Sequence, residues 1–555
     1  MAFGSVLSNE VDSQEDRKAR GAFFTPPELA DAIAAFAIAT AHDRVLEPSC
    51  GEGEFLISAA KRLHSLGAST WEINSCIQGN ELHSATAEAA SVRIHAMGID
   101  PLITVGDFFD MNPDALRVDA VIGNPPYIRY QDFSGQERAK SQEAALAAGV
   151  RLDSLASSWA PFVVHSSRFL NQGGRLGFVL PAELLAANYA APVREFLLKH
   201  FRRVDVVLFE RPVFPEVQEE VVLLCASGYG ASSSGCIYVS QVDSAGGLGS
   251  LKPFPAFVDG GSRWPVGKAS QDAQRILEGL SPVDVVSLFS YGTIRLGAVT
   301  GANSYFVMTT ARAASLGLGE GDLVDICPPG SRHLRSLMLD VDDLKRLDAA
   351  GKPTKLFCPQ QDLSPAAKSY IAWGEETGIC KAYKCRVRKP WWRVPGLRSC
   401  DIFITYMNGA GPNLCCNRTG AYYLNSVHGL VMDEAVPEEA GQLLPLAAMS
   451  SLTLLSAELF GRSYGGGILK LEPSEAGKML VPSPEFLIGH ASVLESLRGN
   501  LEKCLALGKR DEATLIVDEA ILPDLGMNRS DMQRAHGLLL ELRARRTRRG
   551  KRKKN

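Results

Sequence analysis

The chain has 555 residues, of which 46% are hydrophobic and 22% are charged, and its formal net charge is −4. This composition is typical of a folded globular protein with two or three domains, and it excludes disorder for most of the chain. No apolar run reaches the roughly 18 to 20 residues of a membrane-spanning helix, and the polar N-terminal segment differs from a secretion signal, so we expect a cytoplasmic protein. Twelve cysteines are too few for a disulfide scaffold in a chain of this length, and free thiols are expected.

Residues 1–245 alternate short β-branched runs with helical patterns. The predicted strands are 44–47, 77–82, 103–106, 118–122, 175–180, 204–209 and 221–224, and the predicted helices are 27–40, 54–66, 84–96, 158–171 and 191–200. Pro26-Pro27 followed by an acid is a typical beginning of a helix. Strand–helix alternation predicts an α/β domain with a mostly parallel sheet that helices cover on both faces.

The pattern changes after residue 245. Residues 246–264 are rich in Gly, Pro and Ser and predict a linker between domains. Residues 265–488 combine short strands with many turn residues, which predicts an α+β domain. Residues 489–542 are expected to form a helical extension, because leucines recur there at spacings of three and four. Residues 543–555 hold nine basic residues and no acid, so the rest of the chain carries −13, and we predict that this tail is disordered.

A glycine-rich turn joins the first predicted strand to a helix. It contains Glu47, Pro48, Ser49, Gly51 and Gly53. Glycine lets the backbone approach a ligand, and the following helix N-terminus offers free N–H groups. The turn has no Gly-Lys-Ser/Thr, and its acids would repel a pyrophosphate, so a zwitterionic or cationic nucleoside suits it better. By itself the pattern is equally compatible with a plain tight turn.

Carboxylates also end the next two predicted strands. Glu81 could accept both hydroxyls of a ribose, and Asp107 beside Phe108 could hydrogen-bond and stack on an adenine. Ligand sites in open α/β sheets lie at the carboxyl ends of the strands, where these residues fall. An acid at a strand end is usually a turn or cap residue, but three in register favour a nucleoside site.

Asn124-Pro125-Pro126-Tyr127 follows a fourth, buried strand. Asn124 offers a side-chain carbonyl, Pro125 a rigid backbone with a free carbonyl, and Tyr127 a stacking face. Two acceptors could orient the exocyclic amine of a base and support the positive charge that it gains when it attacks an alkyl donor. The alternative is a turn that merely ends a strand, which the nucleoside-binding pattern upstream makes less attractive.

With these motifs in this order, the chain resembles the gamma-class DNA adenine-N6 methyltransferases of restriction-modification systems, which use S-adenosylmethionine. The resemblance implies a Rossmann-like methyltransferase domain over residues 1–245 and a target-recognition domain over 265–488. It implies that Thr25, in Gly21-Ala-Phe-Phe-Thr-Pro-Pro27, contacts the methionine carboxylate, and that Phe214 sandwiches the target base against Tyr127. By the same resemblance, Glu47 to Gly53, Glu81, Asp107 and Phe108 bind the cofactor.

The resemblance also implies that the target base is flipped out of double-stranded DNA, since an amine inside the duplex cannot reach a methyl donor. Enzymes that methylate guanine in RNA or glutamine in proteins share Asn-Pro-Pro-Tyr, and a cytosine-N4 methyltransferase or a noncatalytic specificity subunit are further alternatives. We find no nuclease motif, so any cognate endonuclease should be a separate chain. We expect a monomer when the protein is bound to DNA.

A basic and aromatic segment in the second domain is the candidate DNA interface. Its candidate contacts are Lys381, Lys384, Arg386, Arg388, Lys389, Trp391, Trp392 and Arg393. Such a mixture suits phosphate contact and base reading, although a solvated face with core tryptophans is the alternative. Nearby cysteines lack the C-x2-C spacing of a zinc site, so we predict no metal. The basic tail could add salt-sensitive, nonspecific DNA affinity or serve only as a solubilising end.

Overall fold

The computed structural model describes residues 25–550 except 212, 215–219, 266 and 465, with side chains described as far as residue 548. Two compact units divide between Gln271 and Asp272. The second unit therefore begins after the point at which the sequence suggested a boundary. The segment Gly21–Phe24 of the N-terminal motif lies outside the described residues.

The first unit is built on one nine-stranded sheet. Its strands are β1 Val45–Glu47, β2 Ile77–Glu81, β3 Leu102–Val105, β4 Val118–Gly123, β5 Leu170–Pro181, β6 Phe201–Phe209, β7 Val221–Tyr229, β8 Cys236–Val242 and β9 Phe254–Phe257. They lie in the order β3-β2-β1-β4-β5-β7-β6-β8-β9. The first five positions are parallel, whereas β7 runs antiparallel to both β5 and β6. The chain leaves β1 toward β2 and returns to its other side with β4, so the strand order reverses between β1 and β4.

Helices cover this sheet. They are α1 Pro27–Ala37, α2 Glu54–Ser65, α3 Thr70–Cys76, α4 Ser84–His95, α5 Gly135–Leu146, α6 Trp159–Ser167, α7 Glu183–Ala186 and α8 Ala191–His200, and α9 Lys268–Glu278 contains the boundary between the units. As predicted, α1 begins at Pro27, with Pro26 at its N-cap. The predicted helix 158–171 is wrong at its end, because Leu170 already pairs with Val118 of β4. The α/β prediction for this part of the chain is confirmed, and seven strands lie where the pattern placed them.

The predicted linker is wrong, because part of residues 246–264 belongs to the sheet. Strand β9 pairs with β8 in antiparallel register, with Phe257 opposite Cys236. Trp264 is 2% exposed and belongs to the hydrophobic core of the first unit. The strand was not predicted because it contains Pro255, and proline is uncommon inside strands. Proline is tolerated there because β9 lies at the edge of the sheet.

The second unit combines small sheets with helices. Its strands are β10 Val285–Ser287, β11 Gly292–Leu296, β12 Val307–Met308, β13 Leu323–Asp325, β14 Met338–Leu339, β15 Lys355–Phe357, β16 Ile402–Thr405, β17 Met407–Asn408, β18 Leu414–Asn417, β19 Val427–Met432, β20 Arg462–Tyr464, β21 Ile468–Lys470 and β22 Leu480–Pro482. The largest sheet has the order β11-β19-β16-β18-β14. This irregular mixture agrees with the predicted α+β character.

Helices are interspersed with these strands and follow them. They are α10 Asn303–Phe306, α11 Thr310–Ser315, α12 Val341–Ala349, α13 Pro365–Glu376, α14 Tyr383–Arg386, α15 Glu438–Ala447, α16 Ser451–Phe460, α17 Pro473–Ala476, α18 Pro484–Gly489, α19 Ala491–Ala506, α20 Arg510–Ile521 and α21 Arg529–Gly550. The helical extension after residue 488 is therefore present as α19, α20 and α21.

The prediction of a disordered tail from residue 543 is wrong as far as residue 550, because α21 continues through it. Arg546 is only 5% exposed on its side chain and forms two hydrogen bonds with Glu458, at 2.9 and 2.7 Å. Arg543 pairs with Asp511 at 2.7 Å. These basic side chains thus bind partners within the second unit, and residues 551–555 lie outside the described part.

No single helix in the described ranges is long and apolar enough to cross a membrane. The pair α15 and α16, bent by 81°, would meet the criteria of length and composition if taken together. Most of their side chains are buried in the protein, as is usual for core helices.

Candidate active site

The candidate site lies where the strand order of the first unit reverses. Glu47 ends β1, and Asn124 follows β4 directly, so both stand at the carboxyl ends of adjacent parallel strands. Gly123 brings the two ends close, since a Cβ added there would lie 3.7 Å from Cγ of Glu47. A strand-order reversal opens a crevice at the carboxyl edge of the sheet, and ligands of open α/β folds bind in it.

The glycine-rich turn after β1 has the conformation that its sequence predicts. Gly51 and Gly53 have φ values of +52° and +84°, which a residue with a Cβ adopts only under strain. A Cβ on Gly53 would also lie 3.1 Å from Cβ of Ala90. The turn therefore requires glycine at both positions, and α2 begins immediately after it, at Glu54.

Glu81 holds this turn rather than standing free. Its Oε2 accepts the backbone N–H of Gly51 at 2.9 Å, and its Oε1 accepts that of His83 at 3.1 Å. Asn80 adds a second tie that sequence reasoning missed: its side-chain amide donates to the carbonyl oxygen of Gly106 at 3.0 Å. Asn80 is 2% exposed, and it joins the ends of β2 and β3. Its place beside Glu81 at a strand end was the only available signal.

Glu47 is a buried carboxyl group whose hydrogen bonding is incomplete. It is 2% exposed, and its Oε2 has no hydrogen-bond partner among the described residues. Burial raises the pKa of Glu47 well above its ordinary value, a hydrogen bond from the backbone of Leu56 opposes this, and the charges of Glu81 and Glu54 raise it further. An unpaired buried carboxylate is costly, and a cation is the partner that removes the cost.

Asp107 and Phe108 follow β3, as predicted. The Asp107 carboxylate caps a short turn by accepting the N–H of Phe109 at 3.0 Å. Nζ of Lys140 lies 3.5 Å from Oδ2 of the same carboxylate. Phe108 is 2% exposed and packs beside Phe162, with the ring centroids 5.3 Å apart. Its ring is thus part of the core and presents no open face to a ligand in this structure.

Buried histidine completes the aromatic cluster around Phe108. His165 lies with its ring centroid 4.9 Å from that of Phe108, in an edge-on arrangement. Burial lowers the pKa of His165 to about 4, and the charge of Arg168 acts in the same direction. The imidazole is therefore neutral at physiological pH, and the cluster behind Asp107 carries no positive charge.

The Asn124–Tyr127 turn is fixed by hydrogen bonds to three other elements. The side-chain amide of Asn124 donates to Oγ1 of Thr25 at 3.1 Å, and its side-chain carbonyl accepts the phenol of Tyr127 at 2.5 Å. The same phenol lies 2.9 Å from the carbonyl oxygen of Val179 in β5. Ser158 accepts the N–H of Ile128 at 2.8 Å.

Ser158 also makes Pro125 and Pro126 differ in the hydrogen bonding of their carbonyl groups. Its hydroxyl donates to the carbonyl oxygen of Pro126. The carbonyl of Pro125 accepts no hydrogen bond within the described ranges. Of the two proline carbonyls in the motif, that of Pro125 is therefore the one without a hydrogen-bond donor among the described residues. Ser158 was missed by sequence reasoning, because it is 32 residues from Pro126 and carries no motif of its own.

The two predicted stacking aromatics are both buried in the core of the first unit. Tyr127 is 7% exposed and Phe214 is 6% exposed. Pro215, the last residue of the predicted Val-Phe-Pro segment, and residues 216–219 lie outside the described part. Thr25 is described, is 6% exposed, and contacts the Asn124–Tyr127 turn through Asn124.

In the second unit, the predicted DNA contacts divide into two sets. Exposed side chains are those of Lys381, Lys384, Arg386, Lys389 and Arg393. The remaining three serve the fold. Trp391 and Trp392 are half-buried and pack against a hydrophobic cluster of the second unit, and the Arg388 guanidinium donates to the carbonyl oxygen of Thr300 at 2.7 Å. The two tryptophans thus show the core packing that was the alternative, and their contact with DNA stays a prediction.

Cysteines of this unit contribute to packing as well. Cys385, Cys400, Cys415 and Cys416 are buried, and all twelve cysteines are free. Burial raises the pKa of the Cys416 thiol to about 11. Among the described residues, no group of three or more His, Cys, Asp or Glu side chains is arranged to hold a metal ion.

Comparison with known proteins identifies both units. The family model described as N-6 DNA Methylase matches residues 7–225, and that of the C-terminal domain of Type II methyltransferase M.Eco57I matches residues 263–522. The two matches identify the chain as an N6-adenine DNA methyltransferase of the restriction-modification type. The first match contains every predicted cofactor and catalytic residue from Thr25 to Phe214.

Relatives of this methyltransferase match it over most of its length. Type II methyltransferase M.AccI of Acinetobacter calcoaceticus is 23% identical over 496 residues, which cover 85% of this chain and 88% of the relative. Type II methyltransferase M.XamI of Xanthomonas campestris pv. amaranthicola is 24% identical over 485 residues, which cover 84% and 86%. The structure of the Type IIL restriction-modification enzyme MmeI in complex with DNA has a similar fold, with a TM-score of 0.52 and 12% identity over 94% of this chain and 75% of that one.

S-adenosylmethionine is the cofactor of this methyltransferase, and the residues at the strand ends fit it. Its methionine part carries an ammonium group and its sulfur a positive charge. Oε2 of Glu47, which has no hydrogen-bond partner in the described part of the chain, supplies the buried anion that such a cation needs. Glu47, an acid that would repel a pyrophosphate, is therefore compatible with a cationic nucleoside.

Proposed function

We propose that this DNA adenine methyltransferase acts on an adenine flipped out of double-stranded DNA, and that the residues between Thr25 and Phe214 divide the work. The observation that carries the proposal is the hydrogen-bonded state of Asn124. Thr25 binds its amide and Tyr127 its carbonyl, so the side chain is held in one orientation before a substrate arrives. Fixed acceptors lower a barrier because they need no reorganisation during the reaction.

Asn124 and Pro125 are the acceptors for the target amine. The carbonyl oxygen of Asn124 has two lone pairs and gives one to Tyr127, so the other remains for an N–H of the amine. The backbone carbonyl of Pro125 accepts the second N–H. Both contacts strengthen as the nitrogen becomes positive, which favours the transition state over the ground state.

The cofactor, when bound, supplies a methyl group that its positively charged sulfur makes electrophilic. Glu47 balances the positive charge, and Thr25 contacts the methionine carboxylate. Asp107 and the edge of Phe108 meet the adenine, while Glu81 holds the glycine turn and accepts from the ribose. Pro48, Ser49, Gly51 and Gly53 form the turn that lets the backbone approach the nucleoside.

The flipped base stacks on Tyr127, with Phe214 on its other side. Pro126 is the link that sets the direction of the Tyr127 ring, since Ser158 holds its carbonyl oxygen. Both rings are buried in the free protein, so the base must gain access to them when it binds. The positioned acceptors need no strong general base, and the aminium loses its proton after the methyl group is transferred.

The biological setting is part of the same proposal. The chain modifies DNA in the cytoplasm as the methylating member of a restriction-modification system, its endonuclease is a separate chain, and it binds DNA as a monomer. Residues 265–488 supply target recognition, and the exposed Lys381, Lys384, Arg386, Lys389 and Arg393 contact phosphates. The half-buried Trp391 and Trp392 support that surface from within.

Asn124→Ala tests this assignment. The variant should bind a DNA duplex and S-adenosylmethionine nearly as well as the wild type but incorporate labelled methyl groups at least about 100-fold more slowly, because it loses a preorganised acceptor. Asn112→Ala, an exposed-turn change in the same unit, is the control. Undiminished incorporation by Asn124→Ala would contradict the assignment. Sequencing of the modified DNA should find N6-methyladenine, and methyl groups on cytosine, RNA or protein instead would favour the alternatives.

A further inference from the structure

A positively charged groove opens on the second unit, and it combines Lys384 and Arg388 of the predicted DNA interface with residues outside that interface. Its volume is about 680 Å³. One wall is the segment from Arg295 to Val299, which includes the end of β11, and the other comes from residues 384–388 and 395–398. Four of the eleven lining residues are cationic, and none is acidic.

Both walls are held in place by the fold itself. Arg388 crosses from one wall to the other, where its guanidinium donates to the carbonyl oxygens of Thr300, at 2.7 Å, and Val299. Gly301 has φ of +86°, and a Cβ there would lie 2.7 Å from Cβ of Lys384, so the walls meet where only glycine fits. Ala298 donates its N–H to the carbonyl oxygen of Tyr423 at 3.1 Å. The groove is therefore formed before any ligand binds.

The other three cations of the groove face solvent. Arg295, Lys384 and Arg398 are exposed, and none of them has a carboxylate partner in the part of the chain that the structure describes. Arg388 differs from them, because its hydrogen bonds to the wall use its donors. A fixed group of like charges without an acid raises the local concentration of anions and suits a polyanion.

Apolar side chains lie among these cations. Leu296 is 46% exposed and Val387 is 62% exposed. The neighbouring Tyr383 is 66% exposed, with the Lys384 ammonium 5.7 Å and the Arg386 guanidinium 5.8 Å from its ring centre. Alternating positive and apolar groups match a DNA backbone, in which charged phosphates alternate with deoxyribose rings.

We propose that this groove binds the sugar–phosphate backbone of the substrate duplex, with Arg295, Lys384 and Arg398 contacting phosphates. The inference rests on the proposed function, and it adds where the protein holds the DNA and that the contacts are to phosphates. Phosphate contacts carry affinity and position but no sequence information. The groove therefore sets how tightly DNA is held, and the choice of the methylated sequence lies with other residues.

The test compares full-length variants with matched charge loss. Arg295→Gln combined with Arg398→Gln, and Lys384→Gln alone, remove groove cations, whereas Lys368→Gln removes an exposed lysine of α13 outside the groove. Fluorescence anisotropy with a labelled DNA duplex is measured over a series of salt concentrations. Each lost phosphate contact should lower the slope of log K against log salt by about 1, so the double variant should lose about 2, Lys384→Gln about 1 and Lys368→Gln none.

Methyl transfer separates this inference from the proposed function. At saturating DNA the groove variants should keep the wild-type kcat with a raised KM, and sequencing should find the same methylated sites. If the slope of log K against log salt is unchanged in both groove variants, the inference is wrong. Methylation of adenine in DNA by the wild type would still support the proposed function in that case. A changed set of methylated sites, or groove-dependent binding of an RNA duplex in preference to DNA, would overturn the inference too. If the wild type methylates no adenine in DNA, the proposed function itself fails.

Folding is monitored by thermal melting of each variant. If the double variant melts early, Lys384→Glu provides the measurement instead, since Lys384 is exposed on α14 and its side chain makes no hydrogen bond in the described structure. That charge reversal should weaken DNA binding more than Lys384→Gln does, and equal binding by the wild type and Lys384→Glu would contradict the inference.

Discussion

The phenol of Tyr127 donates to the side-chain carbonyl oxygen of Asn124 over 2.5 Å. The residue proposed to stack on the target base therefore also orients the residue proposed to bind its amine. Stacking and amine binding are coupled, because displacement of the ring disturbs the acceptor. Thr25 restrains the other end of the same amide at 3.1 Å.

Tyr127→Phe separates the two roles. The ring for stacking remains, but the hydrogen bond that orients Asn124 is lost, so we expect kcat to fall about 5-fold or more, in line with a loss of ~1 kcal/mol. Cofactor affinity should stay near that of the wild type. Single-turnover methyl transfer measures the effect. Tyr238→Phe, in which a ring on β8 keeps its packing with Arg203, is the control and should behave as the wild type. Equal rates for Tyr127→Phe and the wild type would show that the hydrogen bond has no part in catalysis.

Glu47→Gln should change stability and cofactor binding in opposite directions. The substitution removes a buried ionisable group whose Oε2 has no partner among the residues that the structure describes, so the cofactor-free protein should unfold at a higher temperature. The same change removes the anion that faces a cation, so S-adenosylmethionine should bind at least about 10-fold more weakly. Calorimetric titration and thermal melting measure the two effects. Exposed Glu52 supplies the control variant Glu52→Gln, and a loss of affinity of the same size there would argue against a special role for Glu47.

Binding of the cofactor should also depend on pH through Glu47. Burial raises the pKa of Glu47, so the free protein holds a proton there at a pH at which an exposed glutamate would have lost it. A bound cation favours the ionised form, so binding releases that proton and becomes tighter as pH rises through the raised pKa. Titrations in buffers of different ionisation enthalpy measure the released protons. Wild-type release that persists in Glu47→Gln would assign the proton to another group.

Removal of Arg546 should destabilise the second unit strongly. Glu458 has a side chain only 3% exposed and would be left as a buried charge without its partner, which costs about 3 to 5 kcal/mol. Guanidinium unfolding of Arg546→Ala measures the loss. The control is Lys509→Ala, since the exposed Lys509–Glu512 pair should contribute little to stability. Similar unfolding of both variants would mean that the end of α21 does not contribute to the stability of this unit.

Asp518 makes the stability of the second unit depend on pH. It lies on α20 and accepts the N–H of Ser451 at 2.7 Å and its hydroxyl at 2.5 Å, and His536 of α21 lies 3.1 Å from that hydroxyl. Burial raises the pKa of Asp518 from 3.8 to about 6, the hydrogen bonds from Ser451 oppose this, and the charge of Glu519 adds to it. A raised pKa contributes stability that is fully present below the unfolded value and is lost as pH rises through about 6.

Asp518→Asn should remove this dependence. In the wild type, up to about 3 kcal/mol should be lost between pH 4 and pH 6, because one pKa unit corresponds to about 1.4 kcal/mol. The variant should show a flatter curve of melting temperature against pH in this window. His536→Gln tests whether the neighbouring imidazole contributes instead, and a curve that flattens only in that variant would contradict the assignment to Asp518.

Several parts of the first unit could be predicted from the sequence because their causes are local. Strand periodicity depends on neighbouring residues, and β1 to β7 lie close to where the pattern placed them. The glycine turn has positive φ at Gly51 and Gly53. The presence of glycine at these two positions was enough to predict that conformation. The order of motifs also brought Glu47 and Asn124 to one edge, since parallel strands end on the same side of a sheet.

Only the tertiary structure decided which of these polar groups are already bound. Glu81, expected to face a ribose, also holds the glycine turn, and Ser158 fixes Pro126 from 32 residues away. Trp391 packs inward, and Arg546 finds a buried partner 88 residues earlier in the chain. Composition predicts a solvated or disordered segment wherever charge accumulates, because it contains no information on distant partners. The sequence determined the chemistry that this methyltransferase can perform, whereas long-range contacts determined which side chains are free to perform it.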